Sequence, residues 1–223
     1  MKKSGITRAL RYFIGIGEQY VLCAAGLGAA MTIYMWLINS SASFSDMLTS
    51  IPGSILFIAG TILYVTGVSV VQQCYSLLIS MGCRRRNVFA GNLVMDLLYI
   101  AQCIILYEVL ERIFNPRHQP VSALFVLAVY LLVEAFGKLS GIVVVKFGKL
   151  SRMVFFGATV GIAISAAVYF SLSGGADIQI WADELTGKDA LLVQWVLAGA
   201  AAACCAGSYV FLWRLLKNYE VRI

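Results

Sequence analysis

Ser80 to Asn92 reads SMGCRRRNVFAGN, and it holds the only run of three consecutive charges in the chain. Long apolar segments flank it on both sides. Arg84, Arg85 and Arg86 are therefore expected on a short turn between two hydrophobic helices. Each Arg placed at the centre of a bilayer costs roughly 2.5–3.5 kcal/mol on insertion scales. Three together hold this turn to one side of a membrane, and the positive-inside rule assigns that side to the cytoplasm.

The rest of the composition agrees with a membrane reading. The chain is 61% hydrophobic and only 13% charged, against about 45–50% apolar and about 25% charged in soluble domains. A spanning helix needs about 20 apolar residues. Six such helices with short loops use up the chain and leave no room for a soluble catalytic domain. The expected fold is all-α and integral to the membrane, one transmembrane domain over 1–223. Six spans are expected at about 17–38, 52–79, 88–110, 121–143, 153–172 and 191–213.

Outward from the Arg turn, the segment 2–16 has Ile6, Leu10, Phe13 and Ile14 at helical spacing, with Arg8 and Arg11 on roughly the opposite face. This predicts an amphipathic helix at the cytoplasmic surface. A basic flank that only sets orientation is the plainer alternative. Pro52 suits the first turn of the second span. In the fourth span Glu134 precedes Lys138 by four residues, the favourable order for a helical ion pair. The pentapeptide FGKLS occurs at 136–140 and again at 147–151. Lys138, Lys146, Lys149 and Arg152 read as a second basic cytoplasmic zone. Gly157 and Gly161 form a GxxxG pair in the fifth span. Gly199, Ala203 and Gly207 form a small-residue stripe in the sixth. Both patterns suit close helix packing, within the chain or across a dimer.

The charge distribution tests this topology. Of the 17 Lys and Arg, only Arg112, Arg117 and Lys188 fall on the external side. Both termini are then cytoplasmic. The net charge of +6 does not point to nucleic acid, because the basic residues lie at membrane ends, where anionic headgroups attract them. Five of the six Cys fall inside apolar segments and none forms a CxxC pair, so they read as core-filling residues.

Catalytic patterns are missing from the sequence. The one His has no second ligand at metal spacing, and no Gly-Lys dipeptide has the upstream glycine and following Ser or Thr of a P-loop. No Gly-x-Ser-x-Gly elbow occurs. The chain is read as no enzyme, with no catalytic residue, no metal site and no bound cofactor. Ionisable residues inside a bilayer are functional suspects, but Asp96, Glu108 and Glu134 are few. Each lies toward a membrane end or near a basic neighbour, so they are expected to be locally paired.

The run LLISMGCRRRNVFAGNLVMDLLY resembles permease subunits of bacterial type 2 ATP-binding-cassette (ABC) exporters. In that family the second span ends in a small residue, Met or Leu, Gly and a pair of basic residues, followed by a polar residue and Phe. Ser80, Met81, Gly82, Arg84, Arg85, Asn87 and Phe89 match it. Cys83 replaces another small or β-branched residue. The resemblance implies six spans, an N-terminal interface helix and a coupling turn, Met81 to Asn87, docked in a cleft of a separate ATPase subunit. ATP and Mg would then sit on that partner. It also implies a 2:2 assembly, with the permease as a homodimer or paired with a sister permease in a bacterial plasma membrane. An amphipathic substrate such as an antimicrobial peptide or drug is the expected cargo. The alternative is a secondary transporter or channel with no ATPase, for which Asp96 and Glu134 are the residues to test.

Overall fold

The computed structural model describes residues 5–38, 43–80, 82–115, 122–147 and 188–217. Every described element is helical: α1 (Gly5–Ile38), α2 (Phe44–Ser69), a five-residue π segment (Val70–Cys74), α3 (Tyr75–Ser80), α4 (Arg85–Phe114), α5 (Ala123–Phe147) and α6 (Lys188–Lys217). Five of these helices are long and apolar enough to cross a membrane, and no strand occurs among the described residues. The expected span at 153–172, with Gly157 and Gly161, lies outside the described residues.

Burial is inverted relative to a soluble protein. Leu22, Leu37, Phe136, Phe147 and Trp195 are exposed, whereas Asn92, Asp96, Glu134 and Lys138 are buried. A water-soluble chain hides the first set and solvates the second. In lipid the apolar rim is the solvated surface, and polar groups must find partners inside. The chain is an all-α, multi-pass membrane protein.

Tertiary contacts set the helix directions. Phe13 of α1 lies over Gly91, where an added Cβ would meet its ring at 2.8 Å. The Tyr12 hydroxyl contacts Cys74 Sγ at 4.0 Å. Arg85 Nη1 donates to the Lys217 carbonyl at 2.8 Å. The start of α1, the Arg turn and the end of α6 therefore share one end of the bundle. Tyr130 reaches Leu56, Gly137 meets Tyr64 and Gly67, and Gly141 meets Val68 and Val71. Residue numbers rise together along this seam, so α5 runs parallel to α2. Cys205 and Tyr209 meet Glu134 and Lys138 in the same sense, making α6 parallel to α5. The end of α5 and the start of α6 thus lie at opposite ends of the bundle.

The α2–α5 crossing is held by backbone proximity. A Cβ at Gly137 would sit 2.7 Å from the Tyr64 carbonyl oxygen, and one at Gly67 would sit 3.1 Å from the Gly137 carbonyl carbon. Only glycine allows this approach, the means by which helices pack in lipid without a hydrophobic driving force. By contrast, Gly199 and Gly207 have open space where a Cβ would stand, and Ala203 is exposed. Among the described residues that stripe packs nothing, and the close contact is made instead by Gly137 and Gly141, themselves four residues apart on α5, against the turn of α2 that holds Gly67.

Three local expectations need correction. The segment 2–16 is not a separate interface helix: from Gly5 the helix continues unbroken to Ile38. Ala9 and Phe13 are buried against the bundle, which gives the first turns a packing surface that headgroups alone would not. Pro52 does not open the second span, because α2 begins at Phe44 and Pro52 is a buried interior residue. A proline there has no N–H to give the Leu48 carbonyl one turn earlier, and side chains bond the carbonyls beside it. Asn115 Nδ2 donates to the Thr49 carbonyl at 3.0 Å, and Ser50 Oγ donates to the Met47 carbonyl at 2.9 Å. Finally, Lys138 does not join a basic headgroup zone. It is 1% exposed, inside the bundle.

Candidate functional site

The Arg turn is built by helix-end chemistry. Gly82 adopts φ 79°, the one positive φ among the described residues. Its N–H donates to the Ile79 carbonyl and the Cys83 N–H donates to the Leu78 carbonyl, both at 3.0 Å. This paired closure is the Schellman motif, and it requires a residue without a Cβ penalty. Cys83 is then buried against the core. Arg84 is extended, with φ −68° and ψ 139°, and caps α4 without a side-chain bond. The Asn87 N–H donates to the Arg84 carbonyl at 2.8 Å. Met81 lies outside the described residues.

The electrostatics of this turn run against helix stability. The first turn of α4 holds Arg85 and Arg86 and no acidic residue. A cation at a helix N-terminus is disfavoured by about 0.3–1 kcal/mol. Arg85 offsets this by capping the C-terminal end of α6 through Lys217. Arg84 and Arg86 remain exposed. Of the interface-helix residues, Arg11 is exposed on α1 and the Arg8 side chain lies outside the described positions.

A second site lies deeper, and only its Glu134–Lys138 half is visible in the sequence. Lys138 of α5 donates to Asp96 of α4, to Glu134 one turn earlier on α5, and to the Tyr209 hydroxyl of α6. The Tyr209 oxygen also lies 2.7 Å from Asp96 Oδ2 and 2.5 Å from Glu134 Oε1. Asn92 Nδ2 donates to Asp96 Oδ2 at 2.8 Å. The Lys138 ammonium sits 3.8 Å from the Tyr209 ring centroid. Three helices thus converge on one ammonium.

Helical spacing explains why these side chains meet. Val88, Asn92, Met95, Asp96, Tyr99, Cys103 and Tyr107 are buried and recur at three or four residues on α4. Asn92 and Asp96 are polar members of an otherwise apolar seam. At about 1.5 Å per residue, Asp96 is about 15 Å in from Arg86, Lys138 about 14 Å in from Phe147 and Tyr209 about 12 Å in from Lys217. All three reach one level of the bundle, about two to three helical turns in from its Arg-turn end. The Glu134–Lys138 pair is legible from its spacing of four. The Asp96 and Tyr209 partners come from other helices and leave no local signal. Glu108 is paired as expected, 3.9 Å from Arg112, on an exposed face far along α4.

The two sites are joined. Phe89, one turn into α4 from the Arg residues, packs edge-on to Tyr209 at 5.7 Å and to Trp213 at 5.3 Å. Phe89 thus bridges the first turn of α4 and the tyrosine that closes the buried network. Elsewhere, a hollow of about 500 Å³ lies along α1 and α4, lined by Glu18, Val21, Gln102 and apolar neighbours; it does not reach the network. No group of three His, Cys, Asp or Glu able to hold a metal occurs among the described residues. Compared with known protein families, curated proteins and solved structures, the chain matches none.

Proposed function

We propose that this chain is the membrane-spanning permease subunit of an ATP-driven exporter in a bacterial plasma membrane, coupled through its Arg turn to a separate ATPase. The observation that carries this reading is the turn itself. Two long helices are joined by a tight, glycine-closed corner that presents Arg84 and Arg86 where the helix dipole disfavours them. Carboxylates on a docked partner would supply the missing counter-charge in the fork geometry that guanidinium groups favour. The Phe89–Tyr209 contact gives such a partner a route into the bundle. A sixth span between Phe147 and Lys188 would return the chain across the membrane and leave both termini on the cytoplasmic side. A second permease copy would complete a 2:2 assembly, and the face of Gly199, Ala203 and Gly207 is available to it. An amphipathic cargo is the substrate class this reading implies.

The test is affinity purification of the tagged chain from its native membranes in mild detergent. A stoichiometric P-loop ATPase is expected, and it should be lost in the Arg84→Glu/Arg86→Glu double variant. Arg85 is spared because it holds Lys217. A chain that purifies intact and alone from undisturbed membranes would overturn the reading. The buried Asp96–Glu134–Lys138–Tyr209 network favours one second reading, a carrier driven by an ion gradient without an ATPase. Transport by the purified chain alone in vesicles would select it.

A further inference from the structure

We propose that the Asp96–Glu134–Lys138–Tyr209 cluster is a binding site for one exchangeable proton, whose presence ties α6 to α4 and α5. The inference stands apart from the choice of energy source above.

Hydrogen counting carries it. Five close polar contacts join the cluster: Lys138 to Asp96, Glu134 and Tyr209, and Tyr209 to Asp96 and Glu134. An ammonium supplies three hydrogens and a phenol supplies one. One contact is therefore left with two oxygens and no hydrogen between them. A single proton on either carboxyl fills that place. Tyr209 then accepts from Lys138 and from the carboxylic acid and donates to the other carboxylate, which uses its full capacity.

Charge gives the same answer. Two carboxylates and one ammonium leave one negative charge in excess, and all three groups are at most 4% exposed. An unbalanced charge in a dry interior is strongly disfavoured. No other charged group meets the cluster among the described residues. From α6 come Tyr209 and Cys205, whose Sγ lies 3.9 Å from Glu134 Oε2. From α3 comes Tyr75. From α1, Tyr12 is bonded to Cys74 of the π segment and Glu18 stands exposed at the rim of the apolar hollow. On α2, Tyr64 is bonded to Ser140 of α5. With partners this close, a hydrated metal cation has no room, and the proton is the ligand that fits.

Two orphaned atoms mark the side from which it exchanges. Asn92 Oδ1 and the Tyr75 hydroxyl are buried without a hydrogen-bond partner. Asn92 already donates to Asp96, and it stands one helical turn nearer the Arg turn. Tyr75 lies on the same flank, within electrostatic reach of Asp96 and Glu134. They give the cluster a polar face toward the Arg-turn end, and the proton enters and leaves there. Without it the bare Tyr209–carboxylate contact is repulsive and α6 loosens.

The experiment is infrared spectroscopy of the full chain in lipid nanodiscs, in H₂O and in D₂O. The wild type should show the carbonyl band of a protonated buried carboxylic acid at neutral pH, shifted in D₂O. The band should vanish completely in both Asp96→Asn and Glu134→Gln, since either amide supplies the missing hydrogen. Thermal unfolding gives a second readout: the wild type should lose stability as pH rises from the range where free carboxyls ionise to the pH at which the buried proton leaves, and Glu134→Gln should lose that pH dependence. A wild type with no protonated carboxyl band overturns the proposal. So does a band that survives both substitutions, or stabilisation by sodium ions that is insensitive to pH. If either variant fails to fold, the wild-type spectrum alone decides.

Discussion

The Arg turn and the buried network are both clusters of charge in a chain that has few, yet they obey opposite rules. At the turn, Arg84 and Arg86 are exposed, and hydration already satisfies them. In the network, Asp96, Glu134 and Lys138 have no water and depend on one another and on Tyr209. A charge at the turn is worth what a partner outside the bundle makes of it. A charge in the network is worth what the other helices supply. Removing a cation should therefore hardly touch folding at the turn and should be severe in the network.

The largest effect is expected at Lys138. Lys138→Met leaves the buried carboxylate of the cluster without its cation, and breaking a buried pair in this way costs about 3–5 kcal/mol. Little monodisperse protein should survive size-exclusion chromatography in detergent. Combining it with Asp96→Asn and Glu134→Gln removes the stranded charge and should restore much of the yield. If Lys138→Met alone behaves like wild type, the ammonium is not the centre of the bundle.

Next in size is the glycine seam. Gly137→Val forces side-chain atoms against the Tyr64 carbonyl, where a Cβ alone stands at 2.7 Å. Overpacking of this kind costs about 1–3 kcal/mol, read as a lowered midpoint of thermal unfolding. Gly199→Val should leave the midpoint unchanged, since nothing among the described residues stands there.

A smaller loss is expected at the corner. Gly82→Ala must hold a left-handed φ of 79°, a cost of about 1–2 kcal/mol for an L-residue. Hydrogen exchange of the Gly82 and Cys83 amides should accelerate in that variant.

The smallest effect has the opposite sign. Arg84→Glu/Arg86→Glu places acids at the start of α4, where each gains about 0.3–1 kcal/mol from the helix dipole. The isolated chain should unfold at the same temperature or slightly higher, even though partner capture is expected to fail. A strong loss of stability would mean that the turn, like the network, serves the fold.

Much of this architecture is legible residue by residue. Length and apolarity mark the spans. Gly82 marks the corner, because a helix that stops sharply before an Arg run needs a residue free to turn left-handed. Glu134 and Lys138 are four apart and meet on any helix. Two boundaries moved for one reason: α1 and α2 continue past Gly17 and Pro52 because buried neighbours offset the poor local propensity of glycine and proline. The small-residue stripe at Gly199, Ala203 and Gly207 has the spacing of an interface, but spacing says only which residues share a face. It does not say whether another helix stands opposite.

What the amino-acid sequence determines by itself is therefore the membrane solvent, the helices and the exposed Arg corner, since each depends on residues adjacent in the chain or one turn apart. Only the tertiary structure decides that Asp96, Lys138 and Tyr209, from three different helices, share one level and one set of hydrogens. That outcome depends on the parallel run of α5 and α6 and on the glycine contact that draws α5 against α2. The four-residue spacing of Gly137 and Gly141 says that they share a face but not which helix meets it, because lipid presents every apolar face with the same environment. Close packing and the need to pair buried charge are what choose among those faces.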